Sequence, residues 1–245
     1  MASELKIGLA GLGTVGVGVF KIISEKAALL EERTGRIIKI VAVSAKDKTK
    51  DRGVDLNGVE WFSDPVELAK SSKIDLFVEL IGGAEGAAAD AVKAALENGK
   101  NVVTANKALI SKHGVELAKL AESKNLFLSF EASVAGGIPI IKAIKESLAG
   151  NKITKITGIL NGTCNYILSQ MSSTGRDFGI ILKDAQKLGY AEADPSFDID
   201  GVDAAHKLSI LTALAFGISP SFENIYIEGI RGLSQRDIKY AQTFN

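Results

Sequence analysis

The stretch Leu5-Lys6-Ile7-Gly8-Leu9-Ala10-Gly11-Leu12-Gly13-Thr14-Val15-Gly16 decides the fold. Leu5 to Ala10 is a short apolar run, as a buried parallel strand requires. It runs directly into G-x-G-x-x-G, and beyond it Val15, Val19, Ile22 and Ile23 share one side of a helical pattern. Strand, glycine turn and helix form the context in which this pattern binds a dinucleotide. Gly11 permits the tight turn, Gly13 lets the backbone approach a pyrophosphate, and Gly16 lets the helix pack closely on the strand. Thr14 and Val15 open the helix whose N-terminus faces the phosphates. A glycine-rich βα turn without a ligand would show the same residues, so the surrounding chain decides between them.

Outward from the loop, strand and helix patterns alternate. Ile37 to Val43 is a second strand, Ile74 to Leu80 a third, Asn101 to Thr104 a fourth and Leu126 to Phe130 a fifth. An alanine-rich helix from Ala84 to Glu97 precedes the fourth strand and ends at Asn98-Gly99, a C-cap signal. Repeated βα units imply a parallel sheet with right-handed crossovers. The pattern changes at the Gly/Pro break Val134-Ala135-Gly136-Gly137-Ile138-Pro139. A helix to Leu148, a strand from Ile153 to Leu160, and helices near Tyr166 and from Phe178 to Leu188 follow. The last elements are an apolar helix from Val202 to Phe216 and a strand from Ile225 to Gly229. The expected fold class is α/β: a Rossmann-type parallel-sheet nucleotide domain over residues 1–132 and a second, α+β, substrate and dimerisation domain over 133–245.

Composition removes several alternatives. Lys plus Arg equals Asp plus Glu, at 29 each in 245 residues, so no basic excess points to nucleic acid. No apolar run reaches the length of a membrane span, and Met1-Ala2-Ser3-Glu4 does not read as the start of a signal peptide. One cysteine, Cys164, permits no intramolecular disulfide and fits a reducing cytoplasm. Together with two histidines it is too little for a common zinc site, and it reads as a small packing residue.

The second strand ends in Val43-Ser44-Ala45-Lys46-Asp47-Lys48. An NAD site usually carries an acid at this strand tip. Its absence, with Lys46 close behind, points toward the 2′-phosphate of NADP. Lys46 and Lys48 read equally well as solvated loop charges.

Gly189 to Lys207 is dense in acids and runs into the apolar helix: Gly-Tyr-Ala-Glu-Ala-Asp-Pro-Ser-Phe-Asp-Ile-Asp-Gly-Val-Asp-Ala-Ala-His-Lys. Asp203 and Lys207 stand at i and i+4 and share a helix face that continues through Ile210 and Leu214. Charges that extend an apolar stripe suit a cleft; a surface ion pair would have the same spacing.

The segment from Ala185 to Lys207 resembles the signature of the homoserine dehydrogenases, through Ala185, Gly189-Tyr190, Asp194-Pro195, Asp198, Gly201, Asp203 and Lys207. Four further motifs agree in order: Gly11 to Gly16, Thr104-Ala105-Asn106-Lys107-Ala108, Glu131 to Pro139, and Asn161-Gly162-Thr163. The resemblance implies interconversion of L-aspartate 4-semialdehyde and L-homoserine with NADP or NAD. It implies Lys207 as acid/base, with Asp203 and Lys107 in the catalytic group. Glu192, Asp198, Gly162 and Thr163 are expected at the substrate. Gly11, Gly13, Thr14, Val15, Gly16, Lys46, Gly82, Asn106 and Lys107 are expected at the cofactor. Glu131, Val134, Gly136 and Ile138 match a segment where the family holds a monovalent cation such as Na+, chiefly through backbone carbonyls; an ordinary hinge fits the same residues.

The resemblance also implies a cytoplasmic homodimer in the complete protein. Against the family's length the chain is expected to be truncated, without the end of the substrate domain or any ACT domain. An inactive or regulatory dinucleotide-binding fragment, or a related NAD(P)-dependent amino-acid dehydrogenase, is the alternative. Either should have lost part of the Asp194-Pro195 to Lys207 pattern that this chain keeps.

Overall fold

The computed structural model describes residues 3–244; Met1, Ala2 and Asn245 lie outside the described residues. The chain forms two compact units, Met1–Ala149 and Gly150–Asn245.

In the first unit, β1 (Ser3–Ala10) leads through the glycine turn into α1 (Thr14–Glu25), followed by α2 (Ala27–Thr34) and β2 (Arg36–Ser44). Next come β3 (Glu60–Phe62), α3 (Pro65–Lys70), β4 (Leu76–Glu79), α4 (Ala87–Glu97) and β5 (Asn101–Thr104). α5 (Lys107–Ser123), β6 (Leu128–Ser129) and a short helix α6 (Ile140–Lys142), prolonged by a π-helical turn to Ser147, complete the unit. The strands pair in the order β3-β2-β1-β4-β5-β6, all parallel. Strand order reverses between β1 and β4, and the crevice outside the carboxyl ends of such strands is where this architecture takes ligands. β3 is a sixth strand beyond the five expected from the sequence pattern. At three residues, Glu60-Trp61-Phe62, it is too short to show a period.

The register aligns the strand ends. Ala10 stands opposite both Ser44 and Glu79, and Glu79 stands opposite Thr104. Ser44, Ala10, Glu79 and Thr104 therefore form one row at the carboxyl edge of the sheet, each 0–3% exposed. Beneath it, Ile7, Leu9, Phe20, Ile40, Val43 and Val78 form an apolar core.

The glycine turn is set by close backbone approach. A Cβ on Gly11, which has φ +99°, would fall 2.4 Å from the Leu80 carbonyl oxygen. A Cβ on Gly16 would fall 1.9 Å from the Gly11 carbonyl oxygen. Neither obstacle is a side chain that could swing away.

The second unit is helical: α7 (Gly162–Thr174), α8 (Phe178–Lys187), α9 (Ser196–Ile199), α10 (Val202–Phe216) and α11 (Gln235–Phe244). Its core joins Ile167, Met171, Ile181, Ala185 and Ile199. The strands expected at Ile153–Leu160 and Ile225–Gly229 are not strands: among the described residues of this unit, no ladder forms. Both segments flank α10, and Ile156, Leu160, Ala204, Leu208, Ile225 and Ile227 line a shared groove. A strand needs a hydrogen-bonded neighbour as well as β-branched residues, and these segments do not pair. The helix expected from Ala84 starts instead at Ala87, after Gly86 at φ +69°.

Gly16→Ala should therefore cost the first unit about 3 kcal/mol, the upper end for overpacking, because backbone has to move to admit the methyl group. Thermal unfolding should show a Tm lower by roughly 10 °C. An unchanged Tm would contradict the close approach.

Candidate functional site

In the first unit, a cleft of about 380 Å³ opens beside the glycine turn, between Gly11, Gly13, Lys46, Lys50, Arg52 and Ile81. Gly13 is the informative glycine. Its φ of −79° is open to any residue, and a Cβ there would meet nothing within 4 Å. Packing thus explains Gly11 and Gly16 but not Gly13. The empty volume at Gly13, at the N-cap of α1, fits a ligand that approaches the main chain. Thr14 and Val15 form the start of that helix, which no side chain caps.

Lys46 is exposed at the cleft, just beyond β2. The strand-end pattern points to Lys46 and does not reach Lys50 or Arg52. Arg52 donates to the carbonyls of Leu12 (3.2 Å), Lys50 (2.8 Å) and Asp47 (2.6 Å), and its guanidinium lies 5.4 Å from the Trp61 ring centroid. It ties the lysine loop to the glycine turn. Trp61 lies on β3, the strand that leaves no period in the sequence, so the sequence carries no signal for this staple.

On the other side of the switch point, Gly82 has φ +88° and donates its N–H to Glu79 Oε1 at 2.9 Å. Asn106 caps α5 by accepting from Leu109 N at 3.1 Å, and its amide donates to Gly83 O at 2.7 Å. Lys107 is the first residue of α5 and is half-buried.

The loop expected to hold a monovalent cation follows β6. The Glu131 carboxylate accepts from Ile141 N and Lys142 N, both at 2.9 Å, and so caps α6. Ala135 adopts φ +49° and Gly137 φ +88°, which turns the chain sharply between buried Val134 and exposed Gly136 and Ile138. Among the described residues, no group of three or more His, Cys, Asp or Glu could hold a metal.

The second unit carries the lysine site. Lys207, on the first turns of α10, donates to Asp203 Oδ2 at 2.6 Å and to the Leu160 carbonyl at 2.7 Å. The side chains are 18% and 5% exposed, so this is a mostly desolvated pair and not a surface one. An ammonium has three N–H groups, so two fix it and one remains for a ligand. Asn161 is the hub. Its amide nitrogen donates to Asp203 Oδ2 at 2.9 Å and to Asp198 Oδ1 at 2.8 Å, while its oxygen accepts from Cys164 N and caps α7. The Thr163 hydroxyl lies 2.8 Å from both Asp198 Oδ2 and the Tyr190 carbonyl. Gly162 is the first residue of α7.

The sequence gives Asn161 a place in a motif but no role. An Asn before a helix signals a cap, whereas its bridging of two acids comes only from tertiary placement. Glu192 lies apart from this network, exposed, with its carbonyl held by Gln186 Nε2 at 3.1 Å. Cys164 donates its S–H to the Asp198 carbonyl, and burial with the nearby Asp198, Asp203 and Asp200 carboxylates pushes its pKa up to about 11. It stays a thiol near neutral pH, consistent with a packing role.

Among the described residues, no helix is long and apolar enough to cross a membrane. The family description of the homoserine dehydrogenase NAD-binding domain matches residues 11–131, and that of homoserine dehydrogenase matches residues 139–245. A homoserine dehydrogenase of Neisseria gonorrhoeae is 50% identical over 97% of this chain and 54% of its own length. A crystal structure of a homoserine dehydrogenase from Thiobacillus denitrificans is 47% identical, with TM-score 0.93, over 99% of this chain and 56% of that one. A hyperthermophilic archaeal homoserine dehydrogenase in complex with NADPH is 31% identical, with TM-score 0.81, over 95% of this chain and 76% of that one. The chain spans about half the length of the curated relatives it matches. With both family descriptions matched in order along the chain, it belongs to the homoserine dehydrogenase family.

Proposed function

We propose that this chain carries the nucleotide-binding and catalytic parts of a homoserine dehydrogenase, which interconverts L-aspartate 4-semialdehyde and L-homoserine on the route to threonine and methionine. The observation that carries this is the Lys207 ammonium, fixed between Asp203 and the Leu160 carbonyl with an N–H to spare. A bound nicotinamide cofactor supplies the hydride donor or acceptor. Gly11, Gly13, Thr14, Val15 and Gly16 would hold its pyrophosphate, and Gly82, Asn106 and Lys107 the opposite side of the same sheet edge.

The spare N–H of Lys207 polarises the aldehyde oxygen and delivers the proton that the alkoxide needs; in reverse, Lys207 takes the hydroxyl proton. Asp203 holds the lysine in position. Asp198, engaged by Asn161 and Thr163, orders the surrounding wall together with Gly162. Glu192 offers an exposed carboxylate to the substrate ammonium. In the whole enzyme, Lys207→Ala should lower kcat by about 10²–10⁴-fold and leave cofactor binding nearly intact. Lys107→Ala should impair both turnover and ligand affinity. Glu192→Ala should chiefly raise KM for homoserine, as expected of a group that binds substrate and transition state alike. Steady-state kinetics with cofactor titration on the three variants is the measurement. Near-normal kcat in Lys207→Ala would remove it from the acid/base role and leave Lys107 as the candidate.

The cofactor is NADP(H) at least as well as NAD(H). Support comes from a strand tip without an acid and from Lys46 and Lys50 on a loop that Arg52 secures. Titration should show Lys46→Ala weakening NADPH by about tenfold, the scale of one charge-assisted contact, with little effect on NADH. Preference for NADH that the substitution leaves unchanged would contradict the assignment. Gly13→Ala is the companion test. It should cost at most about 1 kcal/mol of stability, from a poorer N-cap, yet weaken both cofactors.

The loop with Glu131, Val134, Gly136 and Ile138 would take Na+ on backbone carbonyl oxygens in the turn that Ala135 and Gly137 make, while both Glu131 oxygens stay engaged by Ile141 N and Lys142 N. A cytoplasmic homodimer completes the proposal. The lone Cys164 favours a reducing compartment. Ile159 and Tyr226, 80% and 86% exposed on the unpaired segments of the second unit, favour a covering subunit.

A further inference from the structure

Glu79 is fully buried at the end of β4, in an otherwise apolar strand. A carboxylate in such a place is costly unless donors meet it, and here three do. Oε1 accepts from Ile81 N at 2.7 Å and Gly82 N at 2.9 Å; Oε2 accepts from the Thr104 hydroxyl at 2.5 Å. Having given its one proton to Glu79, the Thr104 oxygen accepts from Asn106 N at 2.9 Å. Asn106 in turn donates to Gly83 O at 2.7 Å. The bonds close a circuit from the turn after β4, through β5, to the start of α5, and back to the same turn.

We propose that Glu79 is a positioning residue for the cofactor: it shapes the Ile81–Gly83 turn and sets the first turn of α5, where Lys107 stands. The inference rests on the cofactor assignment above and adds the residue that shapes the site. The turn borders the phosphate loop directly. Leu80 and Ile81 line the same cleft as Gly11 and Gly13, and the Leu80 carbonyl occupies the space a Gly11 Cβ would need. Gly82 and Gly83 sit at φ +88° and +86°, and the carboxylate fixes the two amides that enter that conformation. An apolar side chain would fill the interior at lower cost but would aim neither amide. The turn's other tether, Glu85 to Lys112 at 2.5 Å and to His113 at 3.0 Å, is exposed and open to screening by salt. The buried circuit therefore sets the geometry.

NADPH binding to the full chain, followed by nicotinamide fluorescence beside thermal melts, tests this. Thr104→Val removes the hydroxyl at nearly constant volume. Glu79→Gln keeps an acceptor for Ile81 and Gly82 but turns an N–H toward Thr104, whose hydroxyl then loses its acceptor. Each should raise the NADPH Kd by about tenfold, as for loss of a buried charge-assisted hydrogen bond, and Thr104→Ser should restore it. Val102→Ala, a buried substitution on the same strand as Thr104, should lower Tm at least as much while leaving Kd unchanged. The proposal is overturned if Thr104→Val binds NADPH as tightly as the unaltered chain, or if Val102→Ala weakens binding equally. No NADPH binding by the unaltered chain would overturn the cofactor assignment, and this inference with it.

Discussion

A carboxylate withdrawn from water has to be met by donors, and both candidate sites are built around that constraint. Glu79 is 0% exposed and Asp203 4%. In each case the donors come from segments far apart in sequence, so satisfying the acid fixes the meeting of those segments. Glu79 joins the turn after β4 to the end of β5. Asp203 joins α10 to the start of α7 through Asn161, and to the segment before it through Lys207 and Leu160. Removing Lys207 would leave the Asp203 charge uncompensated, which costs about 3–5 kcal/mol in buried pairs, and removing a donor from Glu79 would leave a buried acceptor unmet, which costs about 1–3 kcal/mol. That expense makes the geometry rigid, and rigidity is what a proton donor or a cofactor-facing amide requires.

The nucleotide unit shows how local chemistry becomes placement. Register alone levels Ser44, Ala10, Glu79 and Thr104 at the carboxyl edge of the sheet. Gly11 and Gly16 then bring turn and helix against that edge closely enough to exclude any side chain. Gly13 differs: its missing Cβ answers to nothing in the protein. Two glycines serve the fold, and the third leaves room for a ligand.

The fold is legible in the sequence where a signal is local. The glycine turn, four further strands and the α10 boundaries, Val202–Phe216, follow from period and punctuation. β3 is hidden because three residues carry no period. Ile153–Leu160 and Ile225–Gly229 read as strands from composition, yet pairing makes a strand and composition does not report it. At the sites, the i, i+4 spacing of Asp203 and Lys207 is visible, while their low exposure is not. Glu79 is visible as an acid in an apolar run, but Thr104 lies 25 residues away and only the register shows the contact. Arg52 is legible as a charge and not as a staple, because its acceptors are backbone carbonyls.

The chemistry joins these features. A dinucleotide cradle at a switch point supports many reactions; the role proposed for the lysine held by Asp203 and Leu160 would narrow them to those that need a proton at an oxygen as hydride moves. Direct hydride transfer from homoserine is the central claim. Homoserine deuterated at its carbinol carbon, incubated with the enzyme and oxidised cofactor, tests it by NMR of the reduced nicotinamide. Deuterium on the ring carbon that accepts hydride, with aspartate semialdehyde formed in equal amount, is the result the account requires. Reduced cofactor without deuterium, or no reduction by homoserine where another hydroxy or amino acid is oxidised, would contradict it.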